Sequence, residues 1–137
     1  MSGTPPTLTL RVLPGDLAIC RLEPDEPLPA WVFHDEARFF SITRTPRETS
    51  VVCAEDDVPP SVARAERGWR ALEVQGPPPF DLTGVLSGIT APLAAGGIPV
   101  FAISTYDTDY LLVRSEHLER AVAVLRPLFA MKDGDPA

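Results

Sequence analysis

Sixteen prolines in 137 residues limit what this chain can build more than any other feature of its sequence. A proline ring removes a backbone donor and clashes inside a helix or a central strand, so it belongs at element ends and in turns. Here the rings gather at Pro5-Pro6, from Pro24 to Pro29, at Pro59-Pro60 and at Pro77-Pro78-Pro79, and the segments between keep regular hydrophobic periods. They read as punctuation between short elements, and only the two ends, residues 1–7 and 132–137, read as loose. The length suits one ordinary domain or two very small ones sharing a core.

Composition closes several functional classes. Hydrophobic residues make up 45%, as in globular chains. The net charge is −7 and the pI about 4.7, which repels polyanions and offers none of the basic surface that nucleic-acid or anionic-membrane binding needs. No apolar run approaches the ~20 residues that span a bilayer, and the start, MSGTPPTLTL, lacks the basic flank and hydrophobic block of a signal peptide, so a cytoplasmic protein is expected. Cys20 and Cys53 lie in apolar strand-like runs and read as buried, reduced thiols. His34 and His117 are far apart, without metal-ligand spacing.

The periods give an element order. Leu8, Leu10 and Val12 alternate with Thr9 and Arg11, Pro14-Gly15 interrupts, and 17–22 resumes the pattern, so 8–13 and 17–22 read as a hairpin. PAWVFHDEA supplies a short helix around Trp31 and Phe33, and 39–45 with 49–54 forms a second hairpin turning at Pro46-Arg47. Ser61 caps a short helix with Val62, Ala65 and Trp69 at helical spacing and Gly68 as its stop. Residues 70–75 then form a strand with Leu72 and Val74 on one face. Leu82, Val85, Leu86, Ile89 and Leu93 fall on one helix face, which Gly96-Gly97 ends. A buried strand at 98–104, a turn at 106–109, a partner strand at 110–113 and a helix capped by Ser115 complete the series. That helix sets Leu118, Val122, Leu125 and Phe129 on one side and ends near Pro127. Trp31 and Trp69 read as packed side chains, and Arg64, Glu66, Arg67, Glu116, Glu119 and Arg120 as solvated helix faces.

The second half is thus strand, helix, strand, strand, helix, and the first half repeats that order at 17–22, 30–37, 39–45, 49–54 and 61–67, a repeat of architecture without sequence identity. The stretch DLTGVLSGITAPLAAGGIPV resembles the opening of an ACT module, the small ligand-binding βαββαβ domain of amino-acid-regulated enzymes. VFAISTYDTDYLLV and FFSITRTPRETSVVC resemble the tandem-ACT proteins of the CASTOR type and their bacterial relatives, and the resemblance covers residues 15–129. It implies an α+β fold of two ferredoxin-like ACT modules side by side, at 1–68 and 69–137, sensing a free amino acid where modules meet, without catalysis or cofactor. Each module needs a fourth strand, and only 8–13 is unassigned. Its hairpin with 17–22 places it in the fourth-strand position of a permuted first module, leaving the second incomplete or completed by a neighbour.

An amino acid presents a carboxylate, an ammonium group and a side chain. The carboxylate suits free amides at a helix start, which Thr83, Gly84 and Val85 supply, with Gly84 allowing close approach. Asp81 either attracts the ammonium group or caps the helix, and the two roles are compatible. Ser104, Thr105, Tyr106, Asp107, Thr108 and Asp109 form a polar cluster after an apolar strand. It reads either as carboxylates that pair with a cationic side chain or as a solvated turn bonding its own backbone. Ser41, Thr43 and Thr45 alternate onto one strand face, toward solvent or a module interface.

Resemblance to the arginine-sensing members favours a basic ligand, and exposed sheet edges favour a homodimer or a partner protein. Against an enzyme using Asp107 and Asp109, the sequence offers no nucleophile–base pair, metal set or phosphate loop. Against an RNA-binding βαββαβ domain, the glycines that flank the aromatic-basic strand are missing around Arg38-Phe39-Phe40. A purely structural or protein-interaction domain without ligand is the remaining alternative.

Overall fold

The computed structural model describes residues 8–33, 39–75 and 83–133. Among them run β1 (Thr9–Val12), β2 (Leu17–Leu22), a 3-10 turn (Ala30–Phe33), β3 (Ser41–Arg44), β4 (Thr49–Ala54), a 3-10 turn (Glu55–Asp57) and β5 (Ala65–Gln75). Then follow α1 (Thr83–Ala95), β6 (Phe101–Ser104), β7 (Asp109–Arg114), a 3-10 turn (Ser115–His117), α2 (Leu118–Leu125) and β8 (Ala130–Asp133). The chain divides into a first unit, Gly15–Trp69, and a second unit, Met1–Pro14 with Arg70–Ala137.

In the first unit the strand order is β3-β4-β2-β5, every neighbour antiparallel, with β5 contributing its residues up to Trp69. That is the βαββαβ order, and among the described residues the two helix positions hold the 3-10 turns Ala30–Phe33 and Glu55–Asp57. Alternation does the sorting. Ala18, Cys20 and Leu22 of β2 and Val51 and Cys53 of β4 point to one face, where Val32 and Val58 from the two turns close a core. Leu28, Trp31, Ile42, Val62 and Ala65 pack around it. Both cysteines are free and buried, as expected.

The second unit has the order β6-β7-β5-β1-β8. Leu10, Leu72, Val74, Leu111 and Val113 line the sheet face under Ile89 and Leu93 of α1 and Ala121 and Leu125 of α2. Each fully buried Leu or Ile contributes about 1.5–3 kcal/mol relative to exposure. The expected stripe holds, with Val85 and Leu86 at its edge, while Leu82 lies outside the described residues. Pro92 stands inside α1 and has no N–H to donate to the Gly88 carbonyl, at a turn where Gly88 is exposed. Gly97, at φ +73°, reverses the chain after α1, with its N–H on the Ala94 carbonyl at 2.9 Å and that of Ile98 on the Leu93 carbonyl at 2.9 Å.

Several expectations are corrected. Strands β1 and β2 form no hairpin with each other: β1 pairs antiparallel with β5 (Leu10 opposite Val74) and parallel with β8 (Leu10 opposite Met131), while β2 pairs with β4 and β5. The first module is therefore not permuted, because β5 itself is its fourth strand, and β1 belongs to the second unit. That unit has its own closing strand in β8, which includes Lys132 and Asp133 of the tail expected to be loose. The helix expected after Ser61 is absent. Residues from Ala65 onward extend β5 to eleven residues, long enough to pair with β2 through its first half and β1 through its second. Helix α2 begins at Leu118 after the 3-10 turn that Ser115 opens, and its N-cap, His117, makes no side-chain capping bond. Residues 34–37 of the expected first-half helix lie outside the described residues.

Candidate functional site

The polar cluster after β6 is a hairpin turn. Ser104 and Asp109 are the last opposed pair of the β6–β7 ladder, and the Ser104 hydroxyl donates to Asp109 Oδ1 at 2.5 Å. Inside the turn the Thr105 N–H donates to the Thr108 carbonyl (2.7 Å). The Thr105 hydroxyl donates to that same carbonyl (3.0 Å) and accepts the Thr108 N–H (3.2 Å). Threonine thus satisfies the turn locally, as short hydroxyl side chains do. The Thr108 hydroxyl donates to the Val74 carbonyl at 2.7 Å, pinning the turn to β5. Tyr106 is fully exposed, Ser104, Thr105 and Asp107 are exposed, and Thr108 and Asp109 are half-buried. The structure brings these six residues together as a turn that bonds itself while keeping one carboxylate, Asp109, fixed in orientation.

Thr83, Gly84 and Val85 form the first turn of α1, a separate element, where backbone N–H groups have no intrahelical acceptor and the helix dipole favours negative charge. Gly84 is exposed, and a Cβ added there meets nothing within 4 Å, so its backbone is open to approach. Its carbonyl accepts the Ser87 hydroxyl at 3.3 Å. Asp81 lies outside the described residues.

A polar seam across β5 and β7 was not anticipated. Glu73 Oε2 accepts the Tyr110 hydroxyl at 2.8 Å and Oε1 accepts Gln75 Nε2 at 2.9 Å, while Arg11 stands opposite Glu73 in the β1–β5 register. Burial first, then the hydrogen bond to Glu73 and the charges of Glu73 and Asp107, push the Tyr110 phenol up to about 12. The alternation of Glu73 and Gln75 with Leu72 and Val74 was the available signal, but it also describes a plain solvent face. The hydroxyl-bearing face of β3 is outward at Thr43 and half-buried at Ser41, and Thr45 lies in the β3–β4 turn.

Other reactive side chains are committed elsewhere. Burial pushes the Cys20 thiol up against the opposing charge of Arg67. Cys53 is pushed up to about 12 by burial first, then by Cys20 and Asp57. Neutral thiols of this kind are poor nucleophiles. Arg67, expected on a solvated helix, instead donates to the carbonyls of Glu55, Val58 and Pro59. Among the described residues no group of three or more His, Cys, Asp or Glu is placed to hold a metal ion, and no helix is long and apolar enough to cross a membrane.

Comparison with known proteins bears on the same residues. A family model described as ACT domain matches residues 64–127, which contain the α1 start and the 104–109 turn, and a model of an N-terminal domain matches residues 15–61. The chain is 33% identical over 98 residues to the cytosolic arginine sensor for mTORC1 subunit 1 of Bos taurus, covering 64% of this chain and 30% of that protein. It is 33% identical over 93 residues to the protein CASTOR3P of Homo sapiens, covering 59% of this chain and 57% of that one. The chain therefore spans under a third of the first relative and little more than half of the second. Among solved structures, protein Atu0741 of Agrobacterium tumefaciens superposes with a TM-score of 0.87 at 39% identity over 96% of both chains. The ligand-free regulatory subunit of aspartate kinase from Thermus thermophilus superposes with a TM-score of 0.61 at 14% identity, over 85% of this chain and 94% of that one, a likeness of fold alone.

Proposed function

The chain belongs to the ACT-domain family, and from that premise we propose that it is a non-catalytic regulatory module that binds a free amino acid, with a basic side chain preferred. The observation that carries the reading is the β6–β7 turn, where the Ser104 hydroxyl holds Asp109 with one oxygen engaged and the other left for a cation. A carboxylate so oriented pairs well with ammonium or guanidinium. The α1 first turn offers amides for the ligand carboxylate at Thr83, Gly84 and Val85. That the curated relative is an arginine sensor supports the choice of a basic ligand. In this reading ligand acts by stabilising the arrangement it binds best, and association with a second copy covers the outer edges of β3 and β6.

The test is a thermal-shift screen of the whole chain against the twenty free amino acids. A ligand at one hundred times its Kd adds about 2.7 kcal/mol, a rise of roughly 5–10 °C. Arginine or another basic amino acid is expected to produce it, and Asp109→Ala is expected to remove it. Gly84→Val is also expected to remove it with little cost to the fold, since nothing fills the space at that Cβ. A flat response to all twenty refutes the sensor reading. It favours instead an architectural module without ligand, for which the self-bonded 105–108 turn is the supporting observation.

A further inference from the structure

The two hairpins are built alike and differ at the positions that close each ladder. In both turns a threonine organises the loop: Thr45 and Thr105 donate their N–H to the carbonyls of Glu48 (2.9 Å) and Thr108 (2.7 Å), and each hydroxyl oxygen accepts an N–H from that same residue at 3.2 Å. The closing pair, however, is Ser104 with Asp109 in the second unit and Arg44 with Thr49 in the first. A small hydroxyl facing a carboxylate in one hairpin is replaced in the other by a guanidinium facing a hydroxyl.

Two of the guanidinium's three nitrogens are engaged within the chain. Arg44 Nε donates to Thr49 Oγ1 at 2.8 Å, and Nη2 donates to the Glu26 carbonyl at 2.5 Å. Thr49 is completely buried, and its hydroxyl donates onward to the Pro24 carbonyl at 3.5 Å. Both carbonyls belong to the loop that follows β2. Arg21 adds a second tie, donating from Nη2 to the Arg47 carbonyl at 2.9 Å and pairing with Glu23 at 2.7 Å. The planar fork of Arg44 therefore joins the hairpin to the loop after the unit's first strand, a span that a lysine's point charge does not reproduce.

We propose that Arg44 is a resident cation. Its head group holds, from within the chain, the position at the first unit's hairpin that a free cationic ligand takes at the second unit's hairpin. The first unit is therefore closed without ligand, and the chain binds one amino acid where its repeat suggests two. The comparison between hairpins rests on the reading of Asp109 as a ligand partner; the role of Arg44 in its own unit does not.

The test is chemical rescue in the full chain carrying Asp109→Ala, which takes the proposed amino-acid site out of the measurement. Adding Arg44→Gly is expected to lower the thermal midpoint by about 3–6 °C. Methylguanidinium chloride should restore at least half of that loss, and methylammonium chloride at the same concentration should not. Arg44→Lys, which keeps the charge and most of the stem, serves if the glycine variant fails to fold, and should also sit below the parent midpoint. An unchanged midpoint on losing Arg44, or equal recovery in the two salts, overturns the proposal. So does a titration of the wild-type chain that ends at two amino acids per chain. If the wild-type chain answers no amino acid while methylguanidinium still rescues Arg44→Gly, the Asp109 reading falls and the resident cation stands.

Discussion

Alkaline titration probes the first unit's core through Cys53. This thiol is 1% exposed, on β4 among Ala18, Cys20, Leu22, Val32, Val51 and Val58. Burial favours its neutral form and pushes its pKa from the ordinary 9.0 to about 12. In the unfolded chain the thiol ionises at its ordinary value, so between these pH values the unfolded state binds fewer protons than the native one. Stability from this group is complete below about pH 9 and is lost as pH rises toward about 12. At about 1.4 kcal/mol per pH unit the ceiling is about 4 kcal/mol, a large part of the 5–15 kcal/mol typical of a domain. Cys20 acts in the same direction, and Tyr110, half-buried, adds a smaller loss above about pH 10. Urea midpoints for the wild type and Cys53→Ala, in reductant at about pH 8, 9.5 and 11, isolate the contribution of this thiol. The variant should start lower by about 1–2 kcal/mol, through lost packing, and then fall less steeply. Parallel declines refute the claim that a buried neutral thiol carries the effect.

Two further outcomes follow from single positions. Gly97→Ala forces a side chain into φ +73° and should cost about 1–2 kcal/mol in urea unfolding; no loss would mean the α1 stop tolerates a different turn. Thr108→Val removes the bond to the Val74 carbonyl while leaving the turn's backbone in place, and should cost about 1–2 kcal/mol, with amide exchange rising in residues 104–109.

What could be read from the sequence was local. The β3–β4 and β6–β7 hairpins and α1 were legible because alternation, turn residues and a helical stripe each lie within a dozen or so neighbouring positions. The 104–109 turn was legible for the same reason, down to the self-bonding alternative. Residues 61–69 misled because Val62, Ala65 and Trp69 satisfy a helical spacing, yet pairing with β2 and burial of Trp69 place 65–69 in a strand. Proximity to 17–22 suggested a hairpin for β1, and only the length of β5, itself misread, reveals the better partner. The Arg67 bonds to three carbonyls and the Tyr110–Glu73 bond depend on residues brought together by that same strand, so no local pattern announced them.

Strand β1 also sets a schedule for synthesis. It lies between β5 and β8, and its register partners Leu10 and Met131 are about 120 residues apart, so the parallel edge must wait until almost every described element has left the ribosome. Until β8 arrives, β1 can dock on β5 but presents a bare row of amides and carbonyls on its other side. A premature stop just before Ala130 would leave that row open permanently, making nascent or truncated chains the form most prone to stick to one another.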